Sequence, residues 1–254
     1  MFIEDMNSIS TAAANKAEVS SKHPGIFFWR AIMAGFFIVV AILLSNVTAA
    51  VLYSRYPEWA KVIGAFLFSI AIVLIVFIGG ELFTGNNMTL ALGVYNKKCC
   101  VSDMIRVWIY SYIGNFIGAA LLSVIFVYSG AAKNIMTNYY MAIVPGKLDM
   151  TWYELLLRGI LCNFLVCLAV WTGTRMKTES GKLIVMFCVI MAFVISGFEH
   201  CIANMGTFTI AALLCPGMMT GAAVAKSMIL VTIGNIIGGA VLLALPLKLM
   251  SYDK

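Results

Sequence analysis

Six stretches of this chain, at about 26–52, 61–95, 103–129, 153–174, 183–215 and 221–248, are apolar over a length that a water-soluble domain has no room to bury. A bilayer core of about 30 Å takes about 20 helical residues per crossing, so each stretch is read as one span. The rest of the composition agrees: 62% of the 254 residues are hydrophobic, 11% are charged, and the mean hydropathy is +0.98. No polar block is long enough to fold as a separate head. The expected fold class is therefore an all-α membrane protein with six transmembrane helices. Residues 1–25 form a polar N-terminal tail, and residues 26–250 form a single transmembrane domain.

Two spans are irregular. The second and fifth exceed one helix and are interrupted by Gly79-Gly-Glu-Leu-Phe-Thr-Gly-Asn-Asn-Met and Gly197-Phe-Glu-His-Cys-Ile-Ala-Asn-Met, where a membrane helix is ordinarily most apolar. Non-helical backbone survives at membrane depth only where protein or a water-lined cavity satisfies its N–H and C=O groups, so the interruptions imply a pathway. They also belong to a repeat. Arg30-Ala-Ile-Met-Ala-Gly-Phe-Phe aligns with Arg158-Gly-Ile-Leu-Cys-Asn-Phe-Leu, the two interruptions align with each other, and Gly114-Asn-Phe-Ile-Gly aligns with Gly234-Asn-Ile-Ile-Gly. The offsets are 128, then 118 falling to 117, then 120. Halves of about 26–130 and 153–248 with three crossings each must point opposite ways through the bilayer, which predicts two inverted three-helix repeats. Half-helices restarting after Thr84 and after His200 would turn positive dipole ends toward mid-membrane, an arrangement that favours an anionic solute.

Sidedness follows from the basic residues. Lys16, Lys22, Arg30, Lys97, Lys98, Arg106, Arg175, Lys177, Lys182, Lys248 and Lys254 fall on one side, and Arg55, Lys61, Lys133, Lys147, Arg158 and Lys226 on the other. Both termini are expected in the cytoplasm, with the domain in the cell (inner) membrane. The first 24 residues lack the basic start, apolar core and cleavage site of a signal peptide, and the net charge of +6 needs no nucleic acid to explain it.

Composition limits the chemistry as well. The chain has two histidines, His23 and His200, and only His200 lies in an apolar stretch, which excludes bis-histidine haem ligation. The seven cysteines never form Cys-x-x-Cys and read as packing residues rather than a metal site or disulfide framework. No cofactor is expected. A membrane-embedded enzyme finds no support: there is no nucleophile-elbow or His-Glu-x-x-His motif, and Cys201 would point about 100° away from His200 on a continuous helix.

The Glu-His-x-x-Ala-Asn-Met core at Glu199, the Glu-Leu-Phe-Thr-Gly-Asn run at Glu81 and the paired Gly-Asn-x-Ile-Gly signatures resemble the formate/nitrite transporter family over nearly the whole chain. The resemblance implies an aquaporin-like protomer, a homopentamer with one pore per subunit, and passage of small monovalent anions of weak acids. It places His200 in mid-pore, able to exchange a proton with the anion, with the Thr84 hydroxyl facing it from the loop that breaks span two. Lys147 is implied as the vestibule cation that draws anions inward, and Asn163 as an amide at the central site. Leu82 and Val166 match the cytoplasmic constriction, and Phe68, Ile72 and Phe193 the outer one. Phe193 lies two helical turns before His200, which predicts a shared face. Glu81, Glu199, Asn87 and Asn204 are read as structural groups at the breaks, since a buried carboxylate needs partners. The Thr84-Gly-Asn-Asn-Met segment and Cys201 look closer to the hydrosulfide-channel branch than to the formate branch, with formate and nitrite as related substrates and formate or nitrite transport proper as the alternative.

Overall fold

The computed structural model describes residues 2–251, which are helical throughout apart from short connections. In chain order, α1 spans Phe2–Lys22, α2 Pro24–Tyr53, α3 Pro57–Phe68, α4 Ile70–Ile78, α5 Phe83–Tyr95, α6 Val101–Tyr128, α7 Lys133–Leu148, α8 Trp152–Arg175, α9 Glu179–Ile195, α10 Cys201–Leu214 and α11 Gly221–Ile236. A π-helical stretch, Ile237–Leu243, leads into α12, Ala244–Met250. Among the described residues, five helices or helix runs are long and apolar enough to cross a membrane: Pro24–Tyr53, Pro57–Ile78, Val101–Tyr128, Trp152–Arg175 and Gly221–Met250.

Local chemistry sets the boundaries. Pro24 and Pro57 open α2 and α3, where a missing N–H costs nothing. Thr151 and Glu154 form a reciprocal capping box at the start of α8. Gly79 closes α4 in the left-handed region at φ 90°, and Gly197 follows α9 at φ 72°. Both mark the entry to an interruption, and a side chain at either position would be strained.

The interruptions fall where the sequence places them, but the second helical piece of span two begins earlier than expected. Leu82 is the N-cap of α5, so Thr84 and the Gly85–Asn87 run lie in its first turns and not in a loop. The restart in span five comes after His200, the N-cap of α10. Both short helices are enclosed by the others. Every residue of α5 from Phe83 to Gly93 is buried, as are most of those in α10.

Two features were not expected. The polar N-terminal segment is a helix whose Met6, Ile9, Ala13 and Ala17 are buried, the first three clustered with Met88, Leu90, Ala91 and Leu92 of α5. The connection between the halves carries α7, which buries Met136, Tyr140, Val144 and Leu148 at a spacing of four.

The halves correspond in detail. α6 crosses α2 so closely that a Cβ on Gly118 would lie 2.1 Å from the Ile32 carbonyl oxygen, and α11 with its π extension crosses α8 so that a Cβ on Gly238 would lie 2.2 Å from that of Ile160. These are the same pair of positions in each half of the sequence repeat.

Candidate functional site

Each break is held by one asparagine from the Gly-Asn signatures. Asn115 accepts the first N–H of α5, from Phe83, at 2.9 Å and donates to the carbonyls of Ala31 at 2.7 Å and Glu81 at 2.9 Å. Asn235 accepts the first N–H of α10, from Cys201, at 2.9 Å and donates to Gly159 at 2.8 Å and Glu199 at 3.0 Å. The backbone N–H of Glu81 donates to Arg30 O at 3.1 Å, and that of Glu199 to Arg158 O at 3.3 Å. A single buried amide thus satisfies three backbone groups where neither helix can. These two asparagines were legible as motif members but had no assigned task. Their work consumes the first N–H of each short helix, so the helix ends offer fewer free donors to a solute than the dipole argument supposes.

The carboxylates beyond the breaks also have matching surroundings. Lys147 Nζ lies 2.8 Å from both oxygens of Glu199 and 3.2 Å from Asn204 Oδ1, while Asn204 Nδ2 donates to Glu199 at 2.8 Å. In the first half, Lys16 of α1 pairs with Glu81, and Asn86 Nδ2 donates to Glu81 at 3.1 Å. The partner of Asn204 is thus Asn86, which keeps the 118 offset through the short helix. The alignment by the neighbouring Asn87 is corrected, because Asn87 turns the other way and accepts from Asn163 at 3.0 Å. The Lys16 pairing has no local signature in the sequence, since its partner lies sixty-five residues away. Lys147 is not a free ammonium, since both oxygens of a buried carboxylate face it.

Three cavities meet at the breaks. One of about 460 Å³ is lined by Lys61, Lys147, Arg158, Glu199, Asn204 and His200 among others. Another of about 410 Å³ is lined by Lys16, Arg30, Glu81, Asn86, Leu82 and Ile72 among others. A space of only about 10 Å³ lies between them, walled by Ile38, Phe68, Ala71, Ile72, Ile75, Leu82, Val166, Ile190, Phe193 and His200. Phe68, Phe193 and His200 are shared with the first vestibule, and Ile72, Ile75 and Leu82 with the second. All five apolar residues singled out from the sequence therefore wall the narrow zone. Phe68 and Phe193 meet edge to face at 5.9 Å, and the Phe193 ring stacks on His200 at 6.1 Å. The latter pair share a wall although α9 ends between them, so the break and not a common helical face brings them together.

His200 is the polar group of that wall. Its Nδ1 accepts the N–H of Ala203 at 3.1 Å, capping α10, so the neutral ring carries its proton on Nε2. Nε2 lies 3.0 Å from Thr84 Oγ1. An Nε2–H donating there leaves the Thr84 hydroxyl hydrogen unused, although Thr84 is fully buried and, unlike His200, lines none of the three cavities. Asn163 lies behind the narrow zone, as Thr84 does. It is fully buried, lines none of the three cavities, and donates to Thr84 O at 3.2 Å and Asn235 O at 2.6 Å, tying the two breaks together from behind. Among the described residues no group of three or more His, Cys, Asp or Glu is placed to hold a metal.

The model of the formate/nitrite transporter family matches residues 4–249. The chain belongs to this family. It is 35% identical over 209 residues to the formate channel BtFdhC of Bacillus thuringiensis, covering 82% of this chain and 80% of that protein. A solved FNT family ion channel superposes with a TM-score of 0.91 at 27% identity, over 98% of this chain and all of that one. A pentameric formate channel with formate bound superposes at 0.77 with 28% identity, over 91% and 98%. Membership in a transporter family, together with the long apolar helices, makes this an integral membrane protein and agrees with the resemblance read from the sequence. The relatives are channels and transporters and not enzymes.

Proposed function

We propose that this protein is a homopentameric channel for small monovalent anions of weak acids, passed with a proton through the Thr84–His200 pair. The observation that carries the reading is one hydrogen-bonded polar pair beside an otherwise apolar space of about 10 Å³, between two polar vestibules. The protomer has six spans in two inverted three-helix repeats, α3–α5 and α9–α10 being the broken ones, and both termini are cytoplasmic at the inner membrane. The matched asparagine clamps, carboxylates and glycine crossings support that layout, and the pentameric relative supports the assembly.

The mechanism follows from desolvation. An anion entering a vestibule keeps its water, but the narrow zone offers walls of Phe, Ile, Leu and Val, and a bare ion there has lost several kcal/mol of hydration with little in return. A weak-acid anion escapes that cost by taking a proton from vestibule water. The neutral acid crosses the ring, held by the Thr84 hydroxyl, and gives its proton back on the far side. The His200 Nε2–H fixes the orientation of that hydroxyl. One proton accompanies each anion, so flux rises as the pH of the entry side falls, and chloride, the conjugate of a strong acid, is excluded.

Hydrosulfide is the preferred substrate, because a one-heavy-atom anion asks for no second donor where a single hydroxyl is on offer. The relative named as a formate channel favours the second reading, formate. The deciding experiment is proteoliposome flux of hydrosulfide, formate, nitrite and chloride, with the native protein and with His200→Asn. Dominant hydrosulfide flux that quickens at low pH, and that falls in the variant because the imidazole orienting Thr84 is gone, is the expected result. Dominant formate flux transfers the reading to formate, and equal chloride flux without pH dependence sinks the proton-assisted mechanism.

A further inference from the structure

The arginine that opens each half of the repeat has no task in the arrangement above. Arg30 and Arg158 occupy the same position in the two halves, each lends its carbonyl to the break, and each lines one vestibule. The charge accounting singles them out. In each vestibule the lysine is consumed by the glutamate: Lys147 by Glu199, and Lys16 by Glu81. The Arg30 side chain has no ion pair or hydrogen bond among the described residues. That of Arg158 makes one long hydrogen bond to Gly197 O, at 3.4 Å, and no ion pair. Glu154, one turn before Arg158, spends Oε2 on the Thr151 cap of α8; its carboxylate attracts the Arg158 guanidinium through space but makes no ion pair with it. A guanidinium carries five N–H donors in a planar fork and stays charged at any working pH. Both residues line a vestibule, and most of those donors have no hydrogen-bond partner among the described residues.

We infer that Arg158 and Arg30 are the anion-capture residues of the two vestibules, and that they recognise planar O–X–O anions, formate and nitrite, by two parallel hydrogen bonds. This rests on the proposed anion-channel function and deepens it. The lysines fix the carboxylates, and the arginines supply the positive charge left over. A fork matches a bent two-oxygen anion bidentately, a geometry that hydrosulfide, with one heavy atom, has no second oxygen to use. Capture and passage then select differently: the arginines favour oxyanions at the mouth, and the single hydroxyl at the narrow zone favours hydrosulfide. Lys61 also lines the larger vestibule, exposed on α3, but no such lysine lines the other, so it contributes general positive potential and not the paired feature.

The test separates charge from fork. Arg158→Gln is expected to raise the half-saturating concentration of formate, nitrite and hydrosulfide about threefold, the scale of a part-exposed ion pair, with maximal flux retained. Arg158→Lys keeps the charge, and is expected to raise the value for formate and nitrite while leaving hydrosulfide as in the native protein. Wild-type half-saturation for all three anions in both variants overturns the inference while leaving the channel reading intact. A native protein that moves no anion fails the channel reading instead. Capture is then read without flux, by phenylglyoxal modification of Arg158 followed by mass spectrometry. Formate should protect the residue and chloride at equal ionic strength should not; equal modification in both salts overturns the capture site by itself.

Discussion

At the scale of single residues, the site depends on hydrogen bonds that leave no slack. Thr84 is fully buried and His200 nearly so, and each is the other's partner at 3.0 Å. Thr84→Val keeps the shape and strands the imidazole N–H, which costs about 1–3 kcal/mol for a buried donor without an acceptor. The variant is expected to unfold at lower temperature in detergent and to conduct at least tenfold less, while Thr84→Ser holds both close to native. Native flux in Thr84→Val would remove the hydroxyl from the pathway. Lys147 poses a similar question with charge. Lys147→Ala leaves Glu199 buried with only the Asn204 amide, and a loss of about 1–3 kcal/mol is expected. Adding Glu199→Gln removes the stranded charge, so the double variant should recover part of the loss in thermal unfolding. Additive losses would mean that the pair is not coupled.

At the scale of elements, the tightest constraint is the backbone contact between crossing helices. A methyl group on Gly118 or Gly238 would meet a carbonyl oxygen of the facing helix at 2.1 or 2.2 Å, and backbone cannot swing aside as a side chain does. Gly118→Ala and Gly238→Ala are each expected to cost about 1–3 kcal/mol by overpacking and to lower the unfolding temperature by similar amounts, since the crossings are equivalent. A neutral result at either position would mean that the helices separate freely. Elements were unevenly legible in the sequence. The long apolar runs and the two interruptions could be read because hydropathy and misplaced polar residues are strong, local signals. α1 gives a weak signal because only a narrow face, Met6, Ile9, Ala13 and Ala17, is apolar, and charged and polar residues fill the remainder. That spacing of three and four was the available signal. Likewise Met136, Tyr140, Val144 and Leu148 at every fourth position announced α7. The Asn86–Asn87 doublet could not be resolved by matching letters: either asparagine aligns with Asn204, and only the hydrogen bond to Glu81 chooses Asn86. Pairings across long separations, such as Lys16 with Glu81, have no local signature at all.

At the scale of the whole molecule, the direction of each half decides what the two vestibules present. In the proposed layout, two halves that share clamps, carboxylates and crossings make three crossings each and run antiparallel, which would present a lysine–glutamate pair from each break to opposite vestibules. The Lys16 pair lines one cavity and the Lys147 pair the other, with the narrow zone between. Sidedness is therefore a prediction with definite labels. Cys100 is exposed in the connection between α5 and α6, and Lys133 is exposed where α6 leads into α7. Since α6 separates them as one full crossing of 28 residues, the two must lie on opposite faces. A membrane-impermeant maleimide applied to intact cells is expected to spare Cys100. It should label Lys133→Cys, introduced together with Cys100→Ser, without permeabilisation, and permeabilised cells should expose Cys100 as well. Labelling of Cys100 from outside would invert the assigned orientation, putting the N-terminal helix and its Lys16 vestibule outside. Labelling of both positions from the same side would break the six-span layout, and with it the inverted repeat on which the two-vestibule channel is built.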